Sequence, residues 1–408
     1  MGALARWASR VTGRGAGAMI GGLVAMKLDR SILWQLGAGR QTVIITGTNG
    51  KSTTTRMVAA ALRTVGRAQG AGLRGQTVAS NAEGANMDAG LVAALSAART
   101  ATLAALEVDE MHVPHVADAV GPAVFVLLNL SRDQLDRVGE INHIERTLRA
   151  GLARHPGAVV VANCDDVLMT SAARDCPNVV WVAAGGGWAG DSVSCPRSGE
   201  VIVREGGHWY SSGTDFSRPA PQWWVDDETL YGPAGLALPM KLALPGAVNR
   251  GNAAQAVAAA VALGADPAAA VAAVADVDEV AGRYRTVSIG THTARLLLAK
   301  NPAGWQEALS MVDKTAAGVV ISVNGQVPDG EDLSWLWDVR FEHFGETSVV
   351  AAGERGTDLA VRLGYAGVEH SLVHDTVKAI ESCPDGHVEV VANYTAFLRL
   401  QRTLERRI

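Results

Sequence analysis

Thr46-Gly47-Thr48-Asn49-Gly50-Lys51-Ser52-Thr53 decides how the rest of the chain reads. Before it, Thr42 to Thr46 is a β-branched run of strand type; after it, Ser52 to Val65 has a helical pattern. A strand that feeds a glycine-rich turn and then a helix lets backbone N–H groups approach phosphate oxygens. The positive end of the helix adds to the attraction. In that frame Lys51 neutralises β/γ-phosphate charge, Ser52 or Thr53 holds Mg²⁺, and Gly47, Thr48, Asn49, Gly50, Lys51, Ser52 and Thr53 form the candidate nucleotide site. The run departs from the generic eight-residue phosphate loop, because Ile45 stands where its first glycine would be.

Outward from this loop, short β-branched runs alternate with longer Ala/Leu segments. Ala101 to Glu107, Ala123 to Leu128 and Ala158 to Ala162 read as further strands of a parallel sheet covered by helices. Between Asp191 and Asp226 the texture changes to Ser, Gly, Pro and Trp, the mark of an inserted module. Helical Ala/Val periodicity returns from Gly251 to Ala275. Four more runs, Ala294 to Leu298, Gly318 to Val323, Thr347 to Ala352 and His387 to Val391, predict a smaller α/β domain. The expected division is an N-terminal segment 1–40, an ATP-binding domain 41–287 carrying the insertion 191–226, and a C-terminal domain 288–408.

The 408 residues are 48% hydrophobic with a formal charge of −5, which excludes a disordered chain and one that binds nucleic acid through bulk positive charge. Four cysteines, Cys164, Cys176, Cys195 and Cys383, are too sparse for a disulfide framework and point to the cytoplasm. Arg6, Arg10 and Arg14 precede an apolar stretch, Gly15 to Met26, that imitates a signal peptide. That stretch is broken by four glycines and falls short of the roughly 20 residues that span a bilayer. Peripheral contact of this basic end with the inner face of a membrane would need a second anchor. His112, His115 and His143 form no metal spacing.

The form G-T-N-G-K-S-T resembles the ATP loop of the Mur ligase and folylpolyglutamate synthetase superfamily, and other segments line up with it. Leu106-Glu107-Val108-Asp109-Glu110 is similar to the segment whose glutamate binds Mg²⁺, which makes Glu107 the metal candidate beside Ser52. Asn129 to Arg137, Asn163-Cys164-Asp165-Asp166, Pro245 to Ala253 and Gly282-Arg283 are similar to further superfamily motifs. The last implies an arginine, Arg283, on the γ-phosphate, and Asn249 joins the nucleotide site. The resemblance implies a Mur-ligase-like central ATPase domain with a mostly parallel sheet and a C-terminal Rossmann-like α/β domain. It also implies ATP- and Mg²⁺-dependent phosphorylation of a carboxylate, followed by attack of an amine. Gln134 replaces a histidine of the family pattern, and no lysine occurs between Lys51 and Lys241 to hold a second metal. Either one Mg²⁺ suffices or the second is held differently.

Only about 40 residues precede the loop, too few for a separate nucleotide-sugar domain. Ser131 to Glu140, Asn81 to Met87, Lys300 to Gly304 and Asp329 to Asp338 resemble the Mur-ligase-like subunits of lipid II isoglutaminyl synthases. That resemblance implies amidation of the D-isoglutamate α-carboxylate of lipid II with ammonia from a separate glutaminase of the GatD-like class I type. No nucleophile elbow surrounds any cysteine here, so the chain does not make ammonia by a Cys-His route. Asp338, with Asp332 as second choice, is the carboxylate the resemblance suggests is lent to the partner's active site, with Trp335 and Trp337 as anchors. The family carries a Cys₄ zinc ribbon in the insertion. Here Cys195 is the sole remnant, with Ser198, Ser211 and Thr214 at the other ligand positions, so no zinc is expected. Trp209, Trp223 and Trp224 read as core of a metal-free hairpin, partner surface being the alternative. The competing functions are a folylpolyglutamate or poly-γ-glutamate ligase and a catalytically degenerate scaffold.

Overall fold

The computed structural model describes residues 17–66, 77–82, 84–132, 141–185, 191–278, 284–342, 344 and 347–405. They fall into two compact units, residues 1–131 with 139–278 and residues 132–138 with 279–408.

The first unit opens with two helices, α1 (Gly17–Leu28) and α2 (Ile32–Gly37), ahead of β1 (Gln41–Thr46). The apolar run that imitates a signal peptide is therefore part of the fold. At Gly22 a Cβ would lie 1.9 Å from the Ala89 carbonyl oxygen, so α1 sits backbone to backbone on the helix Asp88–Ala97. No described helix is long and apolar enough to cross a membrane.

After β1 come α3 (Lys51–Leu62), β2 (Val78–Ser80), α4 (Asp88–Ala97), β3 (Leu103–Glu107), α5 (Val113–Val120), β4 (Val124–Leu127), α6 (Ile141–Ala153), β5 (Val159–Asn163), α7 (Val167–Ala173) and β6 (Val179–Ala183). The strand order β6-β5-β4-β1-β3-β2 is parallel throughout. β1, β3 and β4 are buried on both faces apart from Gln41, which is why they are written almost wholly in Val, Ile, Leu and Ala.

The insertion holds a hairpin, β7 (Ile202–Glu205) and β8 (His208–Ser211), turned by Gly206 and Gly207 at φ 55° and 78°. Val167, Cys195, Ile202, Trp209 and Phe216 form its core. The end of the segment drawn as insertion is different: β9 (Trp223–Asp226) pairs with β6, and β10 (Thr229–Gly232) and β11 (Leu236–Pro239) continue the same sheet antiparallel to nine strands. Trp209 and Trp223 are buried, whereas Trp224 is 38% exposed and stacks on Tyr231.

Residues 251–275 are two helices, α8 (Ala247–Ala262) and α9 (Pro267–Ala275), rather than one. Gly264 at φ +87° ends the first, and the Asp266 carboxylate, accepting from the Ala269 N–H, caps the second with Pro267 at its first position.

The second unit has a six-stranded sheet, order β12-β13-β17-β14-β15-β16. β12 (Tyr284–Ile289) is antiparallel to β13 (His292–Leu298), so this sheet begins ahead of the boundary drawn at 288. β14 (Gly318–Ser322), β15 (Val349–Ala352), β16 (His370–Leu372) and β17 (Gly386–Ala392) run parallel to β13. Helices α10 (Pro302–Ser310), α11 (Gly356–Tyr365), α12 (Thr376–Glu381) and α13 (Tyr394–Glu405) connect or follow them.

Candidate active site

The phosphate loop lies at the carboxyl ends of β1, β3 and β4, where open α/β sheets bind ligands. Two of its residues must be glycine. Gly47 has φ +140°, and a Cβ there would lie 2.8 Å from the Leu128 side chain; Gly50 has φ +84° and would place its Cβ 3.1 Å from both amide atoms of Asn252. The loop is braced from outside by the segment after β4. The Thr48 N–H donates to the Asn129 carbonyl at 2.8 Å, the Asn49 N–H to Asn129 Oδ1 at 3.0 Å, and the Ser131 N–H to Thr48 Oγ1 at 2.9 Å. Asn129 Nδ2 returns a bond to the Asn49 carbonyl at 3.0 Å.

Lys51 Nζ folds back over this loop. It donates to the Gly47 carbonyl at 2.5 Å and the Thr48 carbonyl at 3.3 Å, and pairs with Glu110 Oε1 at 3.3 Å. Sequence reasoning quoted Glu110 but gave it no role. Glu107 is buried at the end of β3, its N–H donating to Asn81 Oδ1 and its carbonyl accepting from Asn81 Nδ2, each at 2.8 Å. Asn81 Nδ2 also donates to Ala85 at 2.9 Å, which ties the segment 81–86 to the metal candidate. Gly84 of that segment faces Ser52, its Cβ position 4.0 Å from the Ser52 hydroxyl.

Asn249 is buried on the first turn of α8, where Nδ2 donates to the Pro245 carbonyl at 2.5 Å. Asn252, one turn on, abuts Gly50, and Gln255 donates to the Leu127 carbonyl at 2.9 Å. Asn252 is thus a site residue that sequence reasoning missed, although its three-residue spacing from Asn249 puts both on one helix face. Gly251 permits the approach, since a Cβ there would lie 2.0 Å from the Ala184 carbonyl oxygen.

Asn163 to Asp166 form a corner after β5. Asp166 caps α7, accepting from the Met169 N–H at 2.8 Å and from the Leu130 N–H at 3.0 Å. Burial pushes its carboxyl up to about 6, against the N–H groups of Met169, Leu130 and Leu168 that hold it down. Asp165 accepts from Arg218 at 2.6 Å and the Gly185 N–H at 2.8 Å.

Around Cys195, burial raises the thiol, and the Ser198 hydroxyl with the backbone of Arg197 and Ser198 outweighs it, leaving it below its ordinary value. Ser211 Oγ is buried without a hydrogen-bond partner among the described residues. Thr214 Oγ1 instead accepts from the Phe216 N–H at 3.2 Å.

In the second unit, Asp332 is exposed and accepts from the Ser334 N–H at 2.8 Å. Asp338 ends the short turn Ser334–Trp337 and pairs with Arg132 at 3.6 Å. The two tryptophans between them separate: Trp335 is buried and stacks on Trp305, whereas Trp337 is 55% exposed and meets Tyr365 edge to face. Asp329, which sequence reasoning left without a role, is buried and accepts from the Thr395 N–H at 2.9 Å and the Thr395 hydroxyl, pinning this loop to the end of β17. Arg283 and Gln134 lie outside the described residues.

Among the described residues, no group of three or more His, Cys, Asp and Glu could hold a metal ion. Mg²⁺ bound with a nucleotide needs only one or two protein oxygens, because phosphates and water supply the rest. Ser52 and Glu107 fit that requirement, and the glycine-dependent cradle with Lys51 above it fits a polyphosphate.

The model of the Mur ligase middle domain matches residues 45–260, more than half of the chain, and that of the MurT ligase C-terminal domain matches residues 298–397. The lipid II isoglutaminyl synthase (glutamine-hydrolyzing) subunit MurT of Streptococcus pneumoniae is 29% identical over 96% of this chain and 93% of its own length. The subunit of the same name from Staphylococcus aureus is 27% identical over 99% and 96%. Among solved structures, a pseudomurein peptide ligase type C from Methanothermus fervidus superposes with TM-score 0.69 at 17% identity, covering 90% of this chain and 79% of that one. MurF from Acinetobacter baumannii does so with TM-score 0.64 at 16% identity, covering 96% and 79%. The chain belongs to the Mur ligase family, in its MurT branch.

Proposed function

We propose that this chain is the ATP-dependent ligase subunit of a two-protein enzyme that amidates the D-isoglutamate α-carboxylate of the lipid II stem peptide. The carboxylate oxygen takes the γ-phosphoryl group of ATP, releasing ADP; ammonia attacks the acyl carbon, phosphate leaves with its bonding oxygen, and the nitrogen sheds a proton to give the amide. The observation that carries the ATP step is Lys51 held over a glycine-dependent phosphate cradle, with buried Glu107 at the end of β3, paired in register with Ile45 of β1.

Lys51 and the loop N–H groups meet the charge spread over the transferring phosphoryl oxygens, and Arg283 adds to it. Ser52 and Glu107 would hold Mg²⁺, which would supply neutralisation of phosphate charge. The reaction then needs no side-chain nucleophile.

Ammonia comes from a glutaminase partner. Trp337 at 55% exposed, Tyr365 at 77% and Val361 at 52% supply an aromatic and apolar surface on the second unit. A cavity of about 320 Å³ lined by Leu333, Trp337, Thr357 and Val361 lies in it. Such anchors suit a protein interface, and Asp338 directly follows one of them, Trp337. Asp338, or failing it Asp332, orients the partner's histidine. The site of action is the cytoplasmic face of the membrane, and no zinc takes part.

The test uses the reconstituted complex, with each aspartate replaced by Asn, fed glutamine and then ammonium chloride. One of Asp338→Asn and Asp332→Asn should lose glutamine-dependent amidation and keep ammonium-dependent amidation. If both variants use glutamine as wild type does, the shared-carboxylate reading is wrong; if wild type amidates with neither nitrogen source, the function is wrong.

A further inference from the structure

We propose that the outer face of α1 and α2, formed by Leu23, Leu28 and Trp34 with Lys27 and Arg30, docks on an anionic lipid bilayer. The inference rests on the reading above, in which the acceptor carboxylate is carried by a lipid.

Each helix has a packed side. Gly22 abuts Ala89, Leu33 is 6% exposed, and a Cβ on Gly37 would lie 2.9 Å from Val120. The opposite side holds the wrong residues for water: Leu23 is 50% exposed, Leu28 65% and Trp34 60%. Two leucines and a tryptophan within one helix-turn-helix stretch, left exposed among the described residues of the unit, make an apolar surface that calls for an occupant. Tryptophan is the side chain most at home where headgroups meet acyl chains.

Charge selects the occupant. Lys27 and Arg30 are exposed beside the apolar residues. The single acid of the turn, Asp29, is engaged with Ser31 and Gln35, accepting from the Ser31 hydroxyl at 2.6 Å and from Gln35 Nε2 at 2.8 Å. Residues 1–28 contain Arg6, Arg10, Arg14 and Lys27 and no Asp or Glu, in a chain whose net charge is −5. This end is therefore basic against an acidic whole, the asymmetry expected of a segment drawn to anionic headgroups. Neither signal alone gives stable attachment; a basic cluster joined to inserted apolar side chains does. Neither helix crosses the bilayer, so the contact is interfacial.

The experiment is co-sedimentation of the full chain with vesicles of phosphatidylcholine alone and of phosphatidylcholine with phosphatidylglycerol, neither containing lipid II. Wild type should pellet with the anionic vesicles, and high salt should release it. Leu23→Glu/Leu28→Glu/Trp34→Glu and, separately, Lys27→Glu/Arg30→Glu should each lower the bound fraction about tenfold, with ATP binding and melting temperature as wild type. Wild type left in the supernatant with anionic vesicles, or either variant pelleting as wild type does, overturns the proposal. So does loss of glutaminase co-purification in a variant that still binds vesicles, because the face is then a protein interface. Vesicle binding without amidation of any lipid-borne or water-soluble stem peptide leaves this inference standing and removes the functional one.

Discussion

Gly50→Ala tests whether the phosphate cradle is built as described, with Gly39→Ala as its control. Both glycines have a left-handed backbone, φ +84° and +75°, but a Cβ at Gly39 meets nothing within 4 Å, whereas one at Gly50 lies 3.1 Å from both amide atoms of Asn252. The control therefore pays only for the backbone conformation, about 1–2 kcal/mol. Gly50→Ala pays that and an overpacking cost of about 1–3 kcal/mol, because Asn252 is buried on α8 and has little room to retreat. The expected totals are thus ~1–2 kcal/mol for Gly39→Ala and ~2–5 kcal/mol for Gly50→Ala. Melting temperature reads the difference at roughly 2–4 °C per kcal/mol for a unit of this size. Calorimetric titration with Mg-ATP reads the second consequence: Gly39→Ala binds as wild type, and Gly50→Ala binds at least ~tenfold more weakly, since the displaced loop misaims its N–H groups. Adding Asn252→Ala to Gly50→Ala should recover part of the stability, a coupling that distant sites would not show. Equal melting temperatures for Gly50→Ala and Gly39→Ala, with unchanged ATP affinity, would refute the cradle.

Lys51→Ala and Glu107→Gln should each lower ATP turnover by about two orders of magnitude or more while the melting temperature stays near wild type; amidation at the wild-type rate by either sinks the assignment. Asp166 has a folded-state value of about 6 against an ordinary 3.8, so its contribution is present below pH 3.8 and lost as pH rises through 6. The unfolding free energy of wild type minus that of Asp166→Asn should therefore fall, by on the order of 3 kcal/mol, between pH 4 and pH 7, and a flat difference across that window contradicts the burial account. Elemental analysis of the purified chain should find no stoichiometric zinc, and Ser198→Cys/Ser211→Cys/Thr214→Cys should gain about one ion per chain; one zinc in wild type, unaffected by Cys195→Ser, means that the ribbon ligands are misplaced.

The parallel sheet was legible because its strands are buried on both faces and so appear as unbroken β-branched or aliphatic runs between helical segments. The break at residues 263–266 was hidden for the opposite reason. Ala and Val fill both α8 and α9, and a hydrophobic period cannot show a gap between two helices of the same composition. The local signals were present, Gly264, Asp266 and Pro267 in helix-stop and helix-start order, but periodicity was given more weight. Lys51 was legible for the same local reason, since its motif is contiguous. Glu110 and Asn252 were not, because each reaches the loop through a long-range pairing. The register that sets Ile45 opposite Glu107 makes the residues after β3 run alongside the loop after β1, and sequence carries no register.

The insertion leans on the rest of its unit. A hairpin of two four-residue strands does not hold itself together in water. The hairpin is instead fixed to the main body of the first unit. Trp209 and Phe216 pack with Val167 of α7, and Trp209 Nε1 donates to the Cys164 carbonyl at 3.0 Å. Arg197, between Cys195 and Ser198, donates to Ser171 Oγ at 3.0 Å and pairs with Asp175 at 2.8 Å. These contacts reach the Asn163–Asp166 corner and α7, so the constraint on the hairpin is spread over several side chains. Cys195 lies buried in that core with Val167, Ile202, Trp209 and Phe216, where its side chain adds to the packing that fixes the hairpin.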